Sequence, residues 1–573
     1  RFTCATRLLV MSRIRFALAQ LNPIVGDVTG NSLAIVAAVS NSYARGARVI
    51  VTPEMSITGY PVDDLASSID FIHRSEAGVN SLATRLASDG FGDAVVIVGY
   101  LSEALQAEFG GAQAQNSLAV LHEGRMIATY AKRHLPNYSV FDEERVFVPG
   151  NGTLVLDLGG VTTGFLICED LWRSDGPVAE LAAMDLDAVI IINASPFDTG
   201  KDETRFPLLA TRAAEFGATV VYVNAVGGQD DLVFDGDSSV LDASGATLLR
   251  ATRFQSTLEL IDIHGTGASS NGIPLAEPTD DVVPFIGVDL PDLDAVWEAL
   301  VLGVRDYVTK NNFPSVALGL SGGIDSAVCA VIAADAIGAS RVYGVSMPSK
   351  YSSEGSKDDA RALAEAIGCH YDVQPIAKLV TPFETQLGLT GIAAENIQAR
   401  ARGMILMALS NQHGHLVLST GNKSEVAVGY STMYGDTVGG FAPIKDVFKT
   451  LVWDLARWRN AAAESRGERA PIPVNSITKA PSAELRPDQT DQDSLPPYDV
   501  LDAILEHLVS HRHSIDAVVA AGFDRATVER IAGLIAGSEW KRRQGAIGPR
   551  ISQMAFGRER RLPITAYHTP GLG

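Results

Sequence analysis

The sequence predicts an α/β protein built as two layered domains. Three observations carry this reading. Short apolar strands alternate with helical stretches through the first half, the same alternation resumes from residue 289, and a Gly/Ser/Pro/Asp-rich stretch at 265–281 parts the two. A chain of 573 residues has room for two large domains, and 46% hydrophobic with 20% charged residues is ordinary for a globular protein. The net charge of −21 disfavours a nucleic-acid surface, which needs clustered Lys and Arg. No apolar run is long enough to span a bilayer. Four cysteines (Cys4, Cys168, Cys329 and Cys369) make no disulfide framework and fit a reducing cytoplasm.

In chain order, residues 1–13 lack periodicity and surround Met11, so a disordered N-terminal extension is expected there. A first domain is assigned to 14–264. Its strands are read at 15–20, 47–51, 94–98, 126–130, 163–167, 188–192 and 219–223, each a short apolar run bounded by polar or turn residues. Helices are read at 31–46 and 80–89. A linker is assigned to 265–288 and a second domain to 289–573. There a helix at 293–311 leads into a strand at 316–320, and strands at 342–346, 371–373 and 416–418 alternate with helices at 357–367 and 395–411. That alternation predicts a doubly wound parallel sheet.

The second domain opens on Ser321-Gly322-Gly323-Ile324-Asp325-Ser326, between the strand at 316–320 and a helix at 327–337. A strand, a Gly-Gly turn and a helix N-terminus make an anion-binding geometry, because free N–H groups and the positive end of the helix dipole point at one spot. Two glycines let the backbone close on a phosphate without Cβ clashes. Ser321 and Ser326 add hydroxyls, and Asp325 suits Mg²⁺. No Lys-Ser/Thr follows at the spacing of a Walker A loop. The stretch resembles the PP-loop of ATP pyrophosphatases, which hold diphosphate while AMP is transferred.

In the first domain Glu54, Lys132 and Cys168 each follow an apolar strand, so their side chains can converge at one sheet edge. The chemistry suits them: a thiol nucleophile, a carboxylate to take its proton, and an ammonium, with the N–H of Glu169, to hold an oxyanion. Their contexts are Pro53-Glu54-Met55-Ser56-Ile57-Thr58-Gly59-Tyr60-Pro61, Lys132-Arg133-His134-Leu135-Pro136-Asn137-Tyr138, Cys168-Glu169-Asp170-Leu171-Trp172 and Asn193-Ala194-Ser195-Pro196-Phe197. Together these resemble the nitrilase (carbon–nitrogen hydrolase) superfamily, most closely its glutaminase branch. The resemblance implies an αββα sandwich and a Glu-Lys-Cys triad, with Tyr60, Tyr138, Glu169, Ser195 and Lys201 shaping a glutamine pocket. It also implies a second, orienting carboxylate from Glu143 or Glu144, and leaves His134 a structural role.

Beyond the PP-loop, Leu418-Ser419-Thr420-Gly421-Asn422-Lys423-Ser424-Glu425 follows another strand, and the stretches 428–436, 439–445, 479–485 and 539–544 complete a set. The set resembles the NAD synthetases, in their glutamine-dependent form. The resemblance implies that deamido-NAD is amidated to NAD through an adenylate, with ammonia passed on from glutamine and with AMP and diphosphate released. By it, Ser321, Gly322, Gly323, Asp325, Ser326, Arg400 and Thr420 touch ATP, the co-substrate. Asp325 and Glu425 hold Mg²⁺, and Asp436, Lys445, Lys479 and Lys541 lie near deamido-NAD. Lys423 receives no role. The partners so implied are small molecules (deamido-NAD, ATP, and glutamine or ammonia), with a homo-oligomer, a dimer of synthetase domains or higher, as the assembly. The competing readings are another PP-loop amidotransferase and a nucleotide-binding regulator without chemistry. A thiolating enzyme wants a basic RNA surface, and the intact Glu54, Lys132, Cys168, Asp325 and Glu425 speak against a regulator.

Overall fold

The structure, a computed structural model, describes residues 12–104, 113–267, 272–487 and 489–566. The chain divides into two compact units. One comprises the residues up to Gln229 with Phe234–Asp289, and the other Asp230–Val233 with the residues from Leu290 on.

The first unit is an αββα sandwich. Its first sheet holds β1 (Ser12–Gln20), β2 (Val49–Val51), β3 (Val95–Glu103), β4 (Ala114–His122) and β5 (Arg125–Ala131) in the order β14-β1-β2-β3-β4-β5, where β14 is Thr257–Gly265. The second holds β6 (Val155–Asp157), β7 (Thr162–Ile167), β8 (Ala188–Asn193), β9 (Thr219–Asn224), β12 (Ser239–Leu241) and β13 (Thr247–Arg250) in the order β13-β12-β9-β8-β7-β6. Between β9 and β12, β10 (Val226–Gln229) and β11 (Leu232–Asp235) pair as a two-stranded ribbon. The strands β1, β2 and β3 run parallel, as do β7, β8 and β9.

Strand period decides which side chain goes where. Ile14, Phe16 and Leu18 enter the core between the sheets together with Val49, Ile97, Phe165 and Ile190. Ala17, Ala19, Ile50 and Val96 face the other way, against α1 (Val28–Ala44) and α2 (Ile69–Ser88). On the second sheet Leu166, Val189 and Ile191 point outward to α3 (Pro177–Ala182) and α4 (Asp202–Phe216). Each of the buried Val, Leu, Ile and Phe side chains contributes about 1.5–3 kcal/mol.

Two boundaries differ from the sequence reading. Ser12 and Arg13, expected within a disordered extension, already pair with Gly265 and His264 of β14, while residues 1–11 lie outside the described residues. The expected linker also begins inside β14, and its later part runs along the first unit. Asp280 accepts a 2.9 Å hydrogen bond from Arg15, Asp281 a 2.5 Å one from Arg13, and Ile286 bridges Arg250. The physical reason is the burial of Arg15, whose guanidinium needs carboxylates from this segment as well as from Asp262.

The second unit opens with α5 (Asp292–Lys310) and contains a four-stranded parallel sheet. The strands are β15 (Val316–Gly319), β16 (Val342–Ser346), β17 (His370–Val373) and β18 (Leu416–Val417), in the order β17-β16-β15-β18. The chain steps outward from β15 to β17 and then returns to the other side of β15, so a topological switch point falls between β15 and β18. Crossovers are made by α6 (Ile324–Ile337), α7 (Glu354–Ile367), α8 (Ala377–Leu387) and α9 (Ile392–His413). Beyond the sheet, α10 (Lys423–Val428) is followed by α11 (Lys449–Ser465), α12 (Val474–Thr478), α13 (Tyr498–Leu505), α14 (Ile515–Ala520), α15 (Arg525–Gly537) and α16 (Glu539–Arg542). Val428, Leu501, Leu505, Val528 and Ile531 form a helical core there. Among the described residues no helix is long and apolar enough to cross a membrane.

Candidate active sites

In the first unit the strand-end residues do meet. Lys132, next after β5, is 1% exposed, and its Nζ lies 2.9 Å from Glu54 and 2.9 Å from Glu143. Glu54 also accepts from Asn116 Nδ2 at 2.6 Å and from the Ala194 N–H at 2.7 Å. Cys168 follows β7 directly, is 4% exposed, and has φ +41, a left-handed backbone that costs a non-glycine residue energy and gathers at functional turns.

The electrostatics follow from burial and charge. Burial, then the negative charge of Glu54, pushes the Cys168 thiol well up, and Lys132 opposes them. Burial would lower Lys132, but Glu143 and Glu54 outweigh it and hold the ammonium charged. Burial raises Glu143 to about 7 against the pull of Lys132. The choice left open between Glu143 and Glu144 is settled geometrically for the position beside Lys132. Glu143 is buried there and also accepts from Tyr60 at 2.9 Å, whereas Glu144 accepts from Asn137.

The other pocket candidates divide. Tyr60 and Ser195 are buried, Tyr60 on Glu143 and Ser195 with its N–H on Asn224. Tyr138 donates to Glu169 at 2.9 Å, and both line an open recess with His134 and Arg173. Lys201 stands outside that lining, 3.8 Å from Asp198 and 5.1 Å from the ring centre of Trp172. Asp170, which carried no role in the sequence reading, ties the lysine and cysteine segments together. It accepts from the N–H groups of Arg133 and His134 and from the Tyr130 hydroxyl.

In the second unit the loops after β15 and β18 border one cavity of about 330 Å³. Gly322 has φ +78, and a Cβ there would stand 2.2 Å from the Ser356 carbonyl oxygen, so the turn demands glycine. Ser321 and Ser326 lie 3.2 Å apart, and Asp325 sits in the first turn of α6. Asn422 caps α10 through the Glu425 N–H and also donates to Asp325 at 3.0 Å, joining the two loops. The Lys449 ammonium bonds Asp325 and lies 3.6 Å from Glu425. A cation thus already stands at both carboxylates, and hard oxygen donors converging on it fit a divalent metal. Burial, then the charge of Asp325, raises Glu425 to about 8.

Asp436, Lys445, Lys479 and Lys541 all border this cavity, as does Thr420. Lys445 donates to the Ala546 carbonyl, Lys541 to those of Gly429 and Ser431, and Lys479 to Ser356 Oγ. Arg400 does not border it and instead donates to the Met433 carbonyl, while Arg402, two residues on, does.

Known proteins show the same pairing of parts. The carbon-nitrogen hydrolase family matches residues 15–268 and the NAD synthase family residues 296–545. The glutamine-dependent NAD(+) synthetase of Rhodobacter capsulatus is 45% identical over 563 residues, covering 96% of this chain and 98% of that relative. The chain belongs to the glutamine-dependent NAD(+) synthetase family. Membership makes it an enzyme, a ligase of NAD biosynthesis that carries a nitrilase-superfamily domain. The Acinetobacter baylyi synthetase is 42% identical over 560 residues, covering 97% of this chain and 98% of its own. The solved synthetase of Acinetobacter baumannii, in complex with ADP, is 38% identical with a TM-score of 0.73, covering 96% and 98% of the two chains.

Several residues that build these synthetase-family sites were silent in the sequence. Asn116 lies inside a strand, and Lys449 begins a helix, where a cation opposes the helix dipole.

Proposed function

We propose that the chain amidates deamido-NAD to NAD with ATP, drawing its ammonia from glutamine hydrolysed at Glu54, Lys132 and Cys168. The observation carrying the reading is the Lys132 ammonium held between Glu54 and Glu143 beside the Cys168 thiol. Glu54 takes the thiol proton as sulfur attacks the glutamine amide carbon. Lys132 and the Glu169 N–H hold the developing oxyanion. As the C–N bond breaks, Glu54 returns the proton to the leaving ammonia, leaving a thioester. Water, deprotonated by Glu54, then cleaves the thioester and frees glutamate. Tyr60, Tyr138, Glu169, Ser195 and Lys201 are read as the glutamine pocket, and residues 14–264 as the glutaminase domain.

In the domain assigned to 289–573, the deamido-NAD carboxylate attacks the α-phosphorus of ATP and diphosphate leaves. Ammonia then attacks the adenylate and AMP leaves. Ser321, Gly322, Gly323 and Ser326 cradle diphosphate at the N-terminus of α6. Thr420, Asp436, Lys445, Lys479 and Lys541 border the space for the two nucleotides; Arg400, expected to touch ATP, lies outside that lining on the Met433 carbonyl. Asp325 and Glu425 would hold Mg²⁺, which supplies charge neutralisation at the phosphates. The assembly is read as a homo-oligomer. On α8, Leu379, Phe383 and Leu387 recur four residues apart and are 47%, 44% and 61% exposed, an apolar stripe suited to self-association and testable by sedimentation.

The decisive experiment separates the nitrogen sources. Cys168→Ala should abolish glutaminase activity and glutamine-dependent NAD formation, while synthesis from deamido-NAD, ATP and added ammonium persists. Retained glutamine-dependent synthesis would refute the nucleophile assignment.

A further inference from the structure

The basic side chains bordering the synthetase-domain cavity are not equivalent. Lys449 is spent on Asp325, Lys357 on Glu354, and Arg542 on Glu539 and two backbone carbonyls. Lys541 and Lys479 are anchored to carbonyls and a hydroxyl. Arg402 differs. Its Nε donates to the Met347 carbonyl at 3.0 Å, and that is its one hydrogen bond within the protein among the described residues. No carboxylate there lies within ion-pair distance, and Glu484 and Asp436 act on it only from further away. Both Nη groups therefore keep their donors, and a guanidinium carries more of these than an ammonium can. Burial lowers the guanidinium to about 10, with the charges of Glu484 and Asp436 opposing it.

A partly buried arginine is costly unless an anion pairs with it. Arg402 sits on α9, bordering the same cavity as Ser321 and Lys445, and Met347, whose carbonyl aims its Nε, follows β16. A planar fork held at one edge and open at the other suits two oxygens of a phosphate or carboxylate. We propose that Arg402 is a substrate-binding residue that takes anionic oxygens of a ligand in this cavity. The inference rests on reading the cavity as the nucleotide site. The anion has two sources, a phosphate of ATP or an acidic group of deamido-NAD.

The test is titration calorimetry on the full-length protein with two probes, a non-hydrolysable ATP analogue and deamido-NAD, each with wild type, Arg402→Met and Arg402→Lys. Loss of a charge-assisted pair should weaken one probe by roughly tenfold to a hundredfold in Arg402→Met, leave the other within about twofold, and be partly restored in Arg402→Lys. Loss for the ATP analogue identifies a phosphate as the anion, and loss for deamido-NAD the dinucleotide. Unchanged binding of both probes would overturn the proposal. So would equal loss of both that Lys does not restore, since that marks a packing residue. Wild type is the separate check on the cavity: if it bound neither probe, the nucleotide reading itself would fall and this proposal with it.

Discussion

At the scale of single residues, the first site is governed by how one ammonium is shared. Lys132 lies 2.9 Å from both Glu54 and Glu143, so its ammonium is shared between the two carboxylates. Glu143→Gln removes one of the two carboxylates that hold the Lys132 ammonium in place and charged. Glutaminase kcat should fall by about tenfold to a hundredfold, with ammonium-dependent synthesis unchanged. An unaltered glutaminase rate would show that the site does not need Glu143 beside Lys132. The placement of Glu54, Lys132 and Cys168 was legible because each follows an apolar strand. Glu143 was not separable from Glu144, because adjacent residues of one short 3-10 turn face opposite ways, a matter of three dimensions.

At the scale of elements, α10 is fastened at its first residue. Lys423 is fully buried and donates to Ser552 at 2.7 Å and to the Met554 carbonyl at 2.8 Å, with Asp446 at 2.9 Å. That answers the question its sequence left open: the side chain locks α10 to the segment 550–556. Lys423→Met removes the cation paired with buried Asp446 and leaves it the Ile551 and Ser552 donors, so stability to denaturant should drop by about 2–4 kcal/mol. A change below 1 kcal/mol, roughly the size of a surface pair, would refute the lock. Asp436, by contrast, is raised to about 6 by burial, against the pull of the Thr432 N–H. The unfolded chain then loses this proton at lower pH than the folded one. The contribution of Asp436 to stability falls as pH rises from about 4 to 6, and the difference between wild type and Asp436→Asn in melts across that stretch should show it. Elements with plain periodicity read well. Those missed, such as β4, carry polar residues like Asn116 and Ser117 within the strand, and their burial depends on partners far along the chain.

At the scale of the molecule, two chemistries share one polypeptide, and the arrangement has value only if ammonia is handed over. With amide-labelled nitrogen-15 glutamine and unlabelled ammonium both present, NAD should carry mainly the label; full mixing of the two pools would refute direct transfer. The alternation of strands and helices on either side of 265–281 was legible, but the strapping of that segment to the first unit by Arg13 and Arg15 was not, because it depends on charges more than two hundred residues apart. The first site also has a temporal property. Glu54 and Lys132 follow strands of the first sheet, Cys168 follows a strand of the second, and the N–H that steadies Glu54 belongs to Ala194, just past β8. A ribosome that has made only β1 to β5 has produced Glu54 and Lys132 but not yet Cys168. On the proposed reading, glutamine hydrolysis then waits until β7 and β8 have been synthesised and packed against the strands that carry Glu54 and Lys132.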